Sequence, residues 1–377
     1  ESPLSVVGAC LQAICARSVA AAGIACKQAP TSIFPIRPIP PASRLSPLAS
    51  RLPTTSAQPA RAAVATAAYL GLATAPRALR DQLAIEVSPR AFLPRFDDLQ
   101  ADWVASVAIP AFKLIRQRQG ILPAFASIGT GTGLDALAAV ETLGSSRVGI
   151  TDVHDDVVRT ATANIVSNLR APGSVAIEAG FGDLLAPLAG GQRRYDLIYE
   201  NLPNVPINDA AQIAAERTSS GHVPPRPEPV PESVQRQLLT LHYLALKQAR
   251  DYLAPGGAVL SMLGGRVPLA AFFEMGRLAD FRSEVYTFSW KIQADAEPMT
   301  RGYVEQQKAG YGPFYFYPIQ RLREVFAGVD LASSGERALE LDAALAPDRL
   351  DAVAAHAAVL RGEDIGHTAV ALRSVPA

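Results

Sequence analysis

The spacing of apolar residues between positions 120 and 265 alternates between two periods. Apolar runs of five or six residues, each typical of a buried strand, are separated by stretches in which apolar residues recur every three to four positions. The predicted strands are 124–128, 147–151, 174–178, 195–200 and 258–263. The predicted helices are 134–143, 155–169 and 232–253. This alternation predicts an α/β domain with a mainly parallel sheet and helices on both faces.

The segments on either side of this region have other patterns. Residues 64–120 predict a small helical region, since apolar residues recur at helical spacing in 81–86 and 96–109. Residues 281–290 alternate as a strand does, and residues 311–317 predict a strand or a turn into one. Residues 335–362 are rich in Ala and predict helix. We therefore expect a helical region over 64–120, a main domain over 121–330 and a C-terminal segment over 331–377.

The first 63 residues differ in composition from the rest. Residues 27–63 are rich in Pro, Ser and Arg, and no Asp or Glu lies between Glu1 and Asp81. This composition predicts a peripheral extension, and an organellar transit peptide is the alternative. The cysteines Cys10, Cys15 and Cys26 all lie here, and their odd number argues against a disulfide framework. A reducing, cytoplasmic location is expected.

Charge and hydropathy exclude further classes of protein. Lys plus Arg number 35 and Asp plus Glu number 35, so the formal net charge is zero. A dedicated nucleic-acid binder usually carries a basic excess, so no nucleic-acid partner is expected. No apolar stretch is long enough for a membrane span, and no metal site is expected. The sequence leaves a homodimer open.

Polar and glycine motifs follow the predicted strands. Gly129, Gly131 and Gly133 follow the first strand, where glycines let the backbone approach a ligand and the next helix offers unpaired N–H groups. Asp152 ends the second strand, where a carboxylate is placed to accept hydrogen bonds from ribose hydroxyls. Asp183 follows the third strand, and the fourth runs into Asn201-Leu-Pro-Asn204.

This ordered set resembles the class I S-adenosylmethionine (SAM)-dependent methyltransferases, which have a Rossmann-like fold. The resemblance covers about residues 120–265 and is greatest to the branch with the release-factor glutamine methyltransferases, whose motif reads Asn-Pro-Pro-Tyr. It implies SAM as cofactor and assigns roles along the chain. The cofactor-binding residues would be Gly129, Gly131 and Gly133 near methionine and ribose, Asp152 at the ribose, Asp183 at the adenine amino group and Asn201 at the methyl group.

The chain departs from this family at two positions. Ser127 stands where the family has an acidic residue that contacts the methionine end, and Asn204 stands where the family has the aromatic residue. Asn204 cannot stack on a planar acceptor, so a small metabolite is the expected substrate. Asn201 and Tyr243 are the predicted catalytic residues.

Further candidates surround this motif. Residues 209–231 predict a lid, His222 and His242 are candidate general bases, and Arg266 is a candidate partner for a substrate carboxylate. Aromatic residues that could enclose a sulfonium by cation–π attraction are Tyr286, Phe288, Trp290, Tyr303, Tyr311, Phe314 and Tyr315.

The expected activity is methyl transfer to a small molecule, and two other SAM proteins remain open. One is an enzyme that cyclises SAM itself and releases methylthioadenosine, as azetidine-2-carboxylate synthases do. The other is a non-catalytic SAM-binding scaffold. A dinucleotide dehydrogenase shares the glycine loop but does not predict Asp183 and Asn201 together.

Overall fold

The predicted strands form the centre of one sheet in the computed structural model, which describes residues 60–190, 194–206 and 222–377. The predicted N-terminal extension up to residue 59, including all three cysteines, lies outside the described residues, as does the lid up to residue 221. In chain order the strands are β1 (Ala60–Ala65), β2 (Gln82–Val87), β3 (Ala124–Ile128), β4 (Arg147–Asp152), β5 (Ala176–Phe181), β6 (Tyr195–Glu200), β7 (Val205–Pro206), β8 (His222–Val223), β9 (Leu253–Gly265), β10 (Phe281–Ile292), β11 (Tyr317–Pro318) and β12 (Ile365–Pro376).

The helices connect and cover these strands. They are α1 (Thr66–Tyr69), α2 (Ile109–Gln119), α3 (Leu134–Ala138), α4 (Asp155–Asn168), α5 (Glu232–Arg236), α6 (Thr240–Ala249), α7 (Leu269–Leu278), α8 (Ala296–Lys308), α9 (Ile319–Val325), α10 (Leu331–Ser334), α11 (Ala338–Leu345) and α12 (Ala352–Leu360). Wider π turns cover Val104–Ala108 before α2 and Ala139–Leu143 after α3, and 3₁₀ turns cover Ala186–Leu188 and Ala346–Asp348. Among the described residues, no helix has the length and apolar character that crossing a membrane requires.

The strand order in the main sheet is β10-β12-β9-β6-β3-β4-β5, with β11 paired to β12. Strands β9, β6, β3, β4 and β5 are parallel, and β12 is antiparallel to both β9 and β10. From β3 the chain moves outward to β4 and β5 and then returns to β6 on the other side of β3. This sheet confirms the predicted Rossmann-like fold class.

Strand residues alternate between two hydrophobic cores, one on each face of the sheet. On β9, Val259 and Leu263 belong to one core, and Leu260 and Met262 belong to the other. Helices α6 and α7 supply side chains to the first core, and α2 and α4 supply side chains to the second. Burial on both faces explains why these strands are apolar runs rather than alternating patterns.

Residues 81–86, predicted to be helical, instead form strand β2. This strand pairs with β1 along one edge, and two asparagines of α4 bind its other edge. Asn164 accepts from the Glu86 N–H at 2.9 Å and donates to its carbonyl at 2.8 Å. Asn168 does the same to Ala84, at 2.8 and 3.0 Å. The helical prediction is wrong because distant amide side chains, four residues apart on one helix face, satisfy the extended backbone.

The predicted helix 232–253 is also interrupted. It divides into α5 and α6 at Leu238, whose φ of 57° is in the left-handed region that a helix cannot contain. The third strand begins two residues later than predicted, and β9 is longer at both ends. Strand β10 and helices α11 and α12 confirm the predictions for 281–290 and 335–362.

Replacing Asn168 by Leu is expected to destabilise the protein by about 1 to 3 kcal/mol, because the two hydrogen bonds between the buried Asn168 amide and the backbone of Ala84 are lost. Urea unfolding measures this difference. Val166→Ala is the control, since Val166 is exposed on the same helix, and a change within about 0.5 kcal/mol is expected there. Equal stability of Asn168→Leu and wild type would show that strand β2 does not depend on these bonds.

Candidate functional site

A cleft of about 320 Å³ opens at the carboxyl ends of the parallel strands. This is the edge at which open parallel sheets bind ligands, next to the point where the strand order reverses. The predicted site residues that line it are Gly129, Gly131, Asp152, Asp183 and Asn201. Gly133 and Tyr243 are not among the lining residues. The structure therefore brings together five of the seven predicted positions.

The glycine loop between β3 and α3 has a backbone that requires glycine. Gly129, Gly131 and Gly133 have φ values of 68°, 54° and 80°, all in the left-handed region. A Cβ on Gly133 would lie 3.1 Å from the Ala161 carbonyl, so this glycine permits close packing of α3 on α4. The first two glycines face the cleft, and the third sets the helix that follows.

Asp152 ends β4 with its carboxylate beside this loop. Its Oδ2 accepts from the Gly131 N–H at 3.3 Å, and its Oδ1 accepts from the His154 N–H at 3.3 Å. Burial raises the pKa of Asp152 above its ordinary value. The long backbone bonds hold the carboxylate in place, and its oxygens retain lone pairs for hydroxyl donors of a ligand.

Asp135 is a functional candidate that the sequence analysis missed. It is 3% exposed, lines the cleft and accepts hydrogen bonds from the Ser127 hydroxyl and, at 3.1 Å, from the Thr130 hydroxyl. Burial raises the pKa of Asp135 to about 6. Ser127 stands where the resembled family has an acid, and the structure brings the Asp135 carboxylate to its hydroxyl. An Asp in the first turn of the helix after the glycines is the signal that could have found it.

Asp183 follows the edge strand β5, lines the cleft and forms an ion pair. Arg226 donates to both of its oxygens, at 2.5 and 3.0 Å, and Gln248 donates to Oδ2 at 3.2 Å. These Arg226 hydrogen bonds lower the pKa of Asp183. Arg226 belongs to the part of the predicted lid that the structure describes, in which His222, Pro224 and Arg226 line the cleft. The pair therefore ties this segment to the loop after β5.

A buried polar network lies behind the Asn201-Leu-Pro-Asn204 motif. Glu200 and His242 are both fully buried, and His242 Nδ1 lies 2.9 and 2.8 Å from the two Glu200 oxygens. Nε2 of His242 lies 3.1 Å from Nδ2 of Asn204, which also donates to the Leu238 carbonyl at 2.9 Å. A tautomer with the proton on Nδ1 satisfies all these contacts. The network fixes the orientation of the Asn204 amide at the cleft.

Tyr243 and the candidate aromatic residues do not form one site. Tyr243 is 8% exposed and packs in the hydrophobic core that α6 helps to form. Tyr303 lines the cleft, whereas Phe288 and Trp290 line a second cavity of about 430 Å³. That cavity contains none of the predicted catalytic or cofactor-binding residues. The other aromatic candidates line neither cavity: Tyr286, Tyr311, Phe314 and Tyr315.

The described part of the chain contains no cluster of three or more His, Cys, Asp or Glu side chains arranged to hold a metal ion. The chemical groups that the cleft offers include backbone N–H groups, carboxylates, two asparagine amides and the guanidinium groups of Arg90, Arg226 and Arg266. These groups bind hydroxyls, ammonium groups and carboxylates.

Comparison with known proteins gives structural likenesses only. No family model matches the sequence, and no curated protein matches it. The chain is similar to the structure of a ribosomal protein L11 methylase from Lactobacillus delbrueckii subsp. bulgaricus, at 18% identity over 47% of this chain and 70% of that one, with a TM-score of 0.31. It is also similar to a precorrin-6y C5,15-methyltransferase from Geobacter metallireducens, at 10% identity over 49% and 76%, with a TM-score of 0.31.

A third similar structure is a methyltransferase from Pyrococcus furiosus, at 18% identity over 47% of this chain and 73% of that chain, with a TM-score of 0.29. TM-scores this low support no argument about this chain. A function for this chain has to be inferred from the groups in its own cleft.

Replacing Asp135 by Asn is expected to change how stability depends on pH. The folded chain holds the Asp135 proton with a pKa of about 6 against an ordinary 3.8. The folded state is therefore favoured while the group is protonated, and this contribution of about 3 kcal/mol is lost as the pH rises from about 4 to about 6. Urea unfolding should show Asp135→Asn to be more stable than wild type at pH 7.5, and this difference should be smaller by about 2 kcal/mol at pH 4.5.

The control for this experiment is Asp155→Asn, which changes an exposed carboxylate on the surface of α4. It should not reproduce the pH dependence of the difference. A stability difference between Asp135→Asn and wild type that is the same at both pH values would contradict the raised pKa.

Proposed function

We propose that this protein is a SAM-dependent methyltransferase that acts on a small-molecule metabolite. The observation that carries the proposal is the convergence of the glycine loop, Asp152 and Asn201 in one cleft at the carboxyl edge of a parallel sheet. The cleft volume of about 320 Å³ is within the range of small-molecule sites.

The residues of the cleft fit SAM group by group. The left-handed glycines leave room for close approach to the backbone, and Asp152 offers acceptors to the two ribose hydroxyls. Asp135 offers a buried carboxylate to the ammonium of the methionine part. Asp183 accepts from Arg226 and Gln248, and a remaining lone pair is available to an adenine amino group. When bound, SAM supplies an electrophilic methyl on a sulfonium, which a nucleophile takes while the C–S electron pair returns to sulfur.

The chain's own residues then orient the methyl acceptor. Nδ2 of Asn204 is held by the Leu238 carbonyl and His242 Nε2, so the group that this side chain has left for a ligand is its carbonyl oxygen. Asn201 lines the cleft at the end of β6. Two amide carbonyls there suit an acceptor that carries N–H or O–H groups, and orientation of this kind is the main contribution a protein makes to methyl transfer.

Two features support a small acceptor over a protein side chain or a nucleobase. Asn204 supplies no aromatic face for stacking, and the net charge of zero gives no attraction for nucleic acid. The segment with His222 and Arg226 also lines the cleft and is tied to Asp183, which narrows access for a large substrate.

The experiment that tests the proposal is mass spectrometry of the purified full chain with SAM alone and then with SAM and a metabolite extract. S-adenosylhomocysteine formed only with extract supports methyl transfer, and the mass increase identifies the acceptor. Methylthioadenosine from SAM alone, above the rate without protein, would overturn methyl transfer in favour of cyclisation. Absence of SAM binding at micromolar concentration would overturn both.

Asp152→Ala is expected to weaken S-adenosylhomocysteine binding by about 10- to 100-fold, because the ribose hydroxyls lose a charged acceptor. Asn201→Ala is expected to reduce turnover more than binding, since its role is to orient the acceptor. Calorimetric titration and turnover assays measure the two effects. An unchanged affinity in Asp152→Ala would contradict the ribose assignment, and equal losses of affinity and turnover in Asn201→Ala would indicate a structural role.

The affinity for S-adenosylhomocysteine is expected to fall as the pH decreases below about 6, because Asp135, with a pKa of about 6, loses the charge that binds the ammonium. Methylthioadenosine has no ammonium group, so its affinity should not follow this curve. Asp135→Asn should remove the difference between the two ligands. Parallel curves for both ligands in wild type would show that Asp135 does not bind the methionine part.

A further inference from the structure

Arg266 is a buried cation that faces the cleft without an anionic partner among the described residues. It follows β9, is 7% exposed and lines the cleft. Its Nε donates to Oε1 of Gln293 at 2.9 Å, and its guanidinium lies over the Tyr303 ring, 5.5 Å from the centroid. Both neighbours are neutral, so neither balances the charge.

The surroundings of Arg266 make this charge costly. Burial lowers its pKa, and burial together with the charge of Arg266 lowers the pKa values of Lys291 and His367. Asp102 is the acid that acts most on Lys291. Its carboxylate accepts from the Tyr69 hydroxyl and from backbone N–H groups, and no ion pair joins it to Arg266 among the described residues. A buried cation without a counter-ion is strongly unfavourable, and an anion bound in the cleft would offset that cost.

The backbone beside Arg266 is shaped around the guanidinium. A Cβ on Gly264 would overlap Nη1 and lie 3.0 Å from Cζ. Because Gly264 has no side chain, the guanidinium of Arg266 can lie against the backbone of strand β9. The two other arginines that line the cleft have carboxylate partners instead: Arg90 has Asp156, and Arg226 has Asp183.

The strand order places Arg266 on the acceptor side of the cleft. Asp152 ends β4, Asn201 follows β6 and Arg266 follows β9, with β3 between β4 and β6. Neighbouring strands are about 5 Å apart, so three steps separate the ends of β4 and β9 by about 15 Å. Along the carboxyl edge of the sheet, Asn201 therefore lies between Asp152 and Arg266.

We propose that Arg266 binds a carboxylate of the methyl acceptor, which makes the substrate a small carboxylic acid with a nucleophilic N–H or O–H group. This assignment rests on the proposed methyltransferase function. The planar fork of the guanidinium pairs with both oxygens of a carboxylate, and Gly264, Gln293 and Tyr303 hold it in that orientation.

The first arm of the test measures the donor side. S-adenosylhomocysteine and methylthioadenosine are titrated into wild type and Arg266→Met by calorimetry. Both affinities are expected to change less than about twofold, since the acceptor and not the donor pairs with Arg266. A loss of affinity for S-adenosylhomocysteine alone would overturn the assignment, because methylthioadenosine lacks the donor's own carboxylate.

The second arm measures the acceptor side. SAM labelled in its methyl group is incubated with a diluted metabolite extract, where the initial rate reports kcat/KM. The labelled product of wild type is expected to be retained on an anion-exchange column. Arg266→Met is expected to lower the rate by about 10- to 100-fold, as for other losses of a charged hydrogen-bond partner. Arg266→Lys should lose less than Arg266→Met because it keeps the charge.

Two further variants make the result specific. Gly264→Ala keeps the charge of Arg266 but displaces the guanidinium, so it should lower the rate of label transfer in the same direction without altering S-adenosylhomocysteine affinity. Arg349→Met is the matched control, because Arg349 also lies over a tyrosine, 4.2 Å from the Tyr315 centroid, but is paired to Asp342 and does not line the cleft. It should transfer label at the wild-type rate.

The possible failures are distinguishable. A labelled product without an anionic group, formed equally fast by wild type and Arg266→Met, would overturn the carboxylate site and leave methyl transfer in place. A wild-type protein that binds no S-adenosylhomocysteine and transfers no label would overturn the proposed function and this assignment with it.

Discussion

The parallel pairing of β3 with β4 on one side and β6 on the other is the interaction on which the site depends. Because the chain leaves β3 in one direction and returns on the opposite side, the loops after these strands diverge and leave a cleft between them. The glycine loop, Asp152 and Asn201 come from three different strands, and they share one cleft because the strands end at the same edge.

Buried charge is distributed unequally along this edge. Asp135, a carboxylate with hydroxyl and N–H partners only, lies near the glycine loop, and Arg266, a guanidinium with neutral neighbours, lies beyond β6. Behind them, Glu200 and His242 are hydrogen-bonded to each other within the core, and His242 contacts Asn204 at the cleft. The Glu200–His242 pair positions the side chain of Asn204. Asp135 and Arg266 have no charged partner, so they are the groups whose charge a bound ligand would balance.

Local sequence predicted some strands and helices correctly and others wrongly, and the contacts of each element explain the difference. Strands β3, β4 and β6 were predictable because burial on both faces demands continuous apolar runs. Strand β2 was not, because its free edge is satisfied by Asn164 and Asn168, about 80 residues further along the chain. The break at Leu238 was equally hidden, since the carbonyl exposed there is bound by Asn204 from another loop.

By itself the sequence determined the α/β fold class, the order of the strands along the chain and the loop positions of Gly129, Gly131, Asp152, Asp183 and Asn201. These follow from periodicity and from the rule that parallel strands end at one edge, both of which are local or topological. Only the tertiary structure decided that Asp135 reaches Ser127, that Asp183 is paired to Arg226, that Tyr243 packs in the core and that Arg266 is buried without an acid. Those facts depend on contacts between side chains of different helices and strands and on the burial of each group. The spacing of residues along the chain does not specify either.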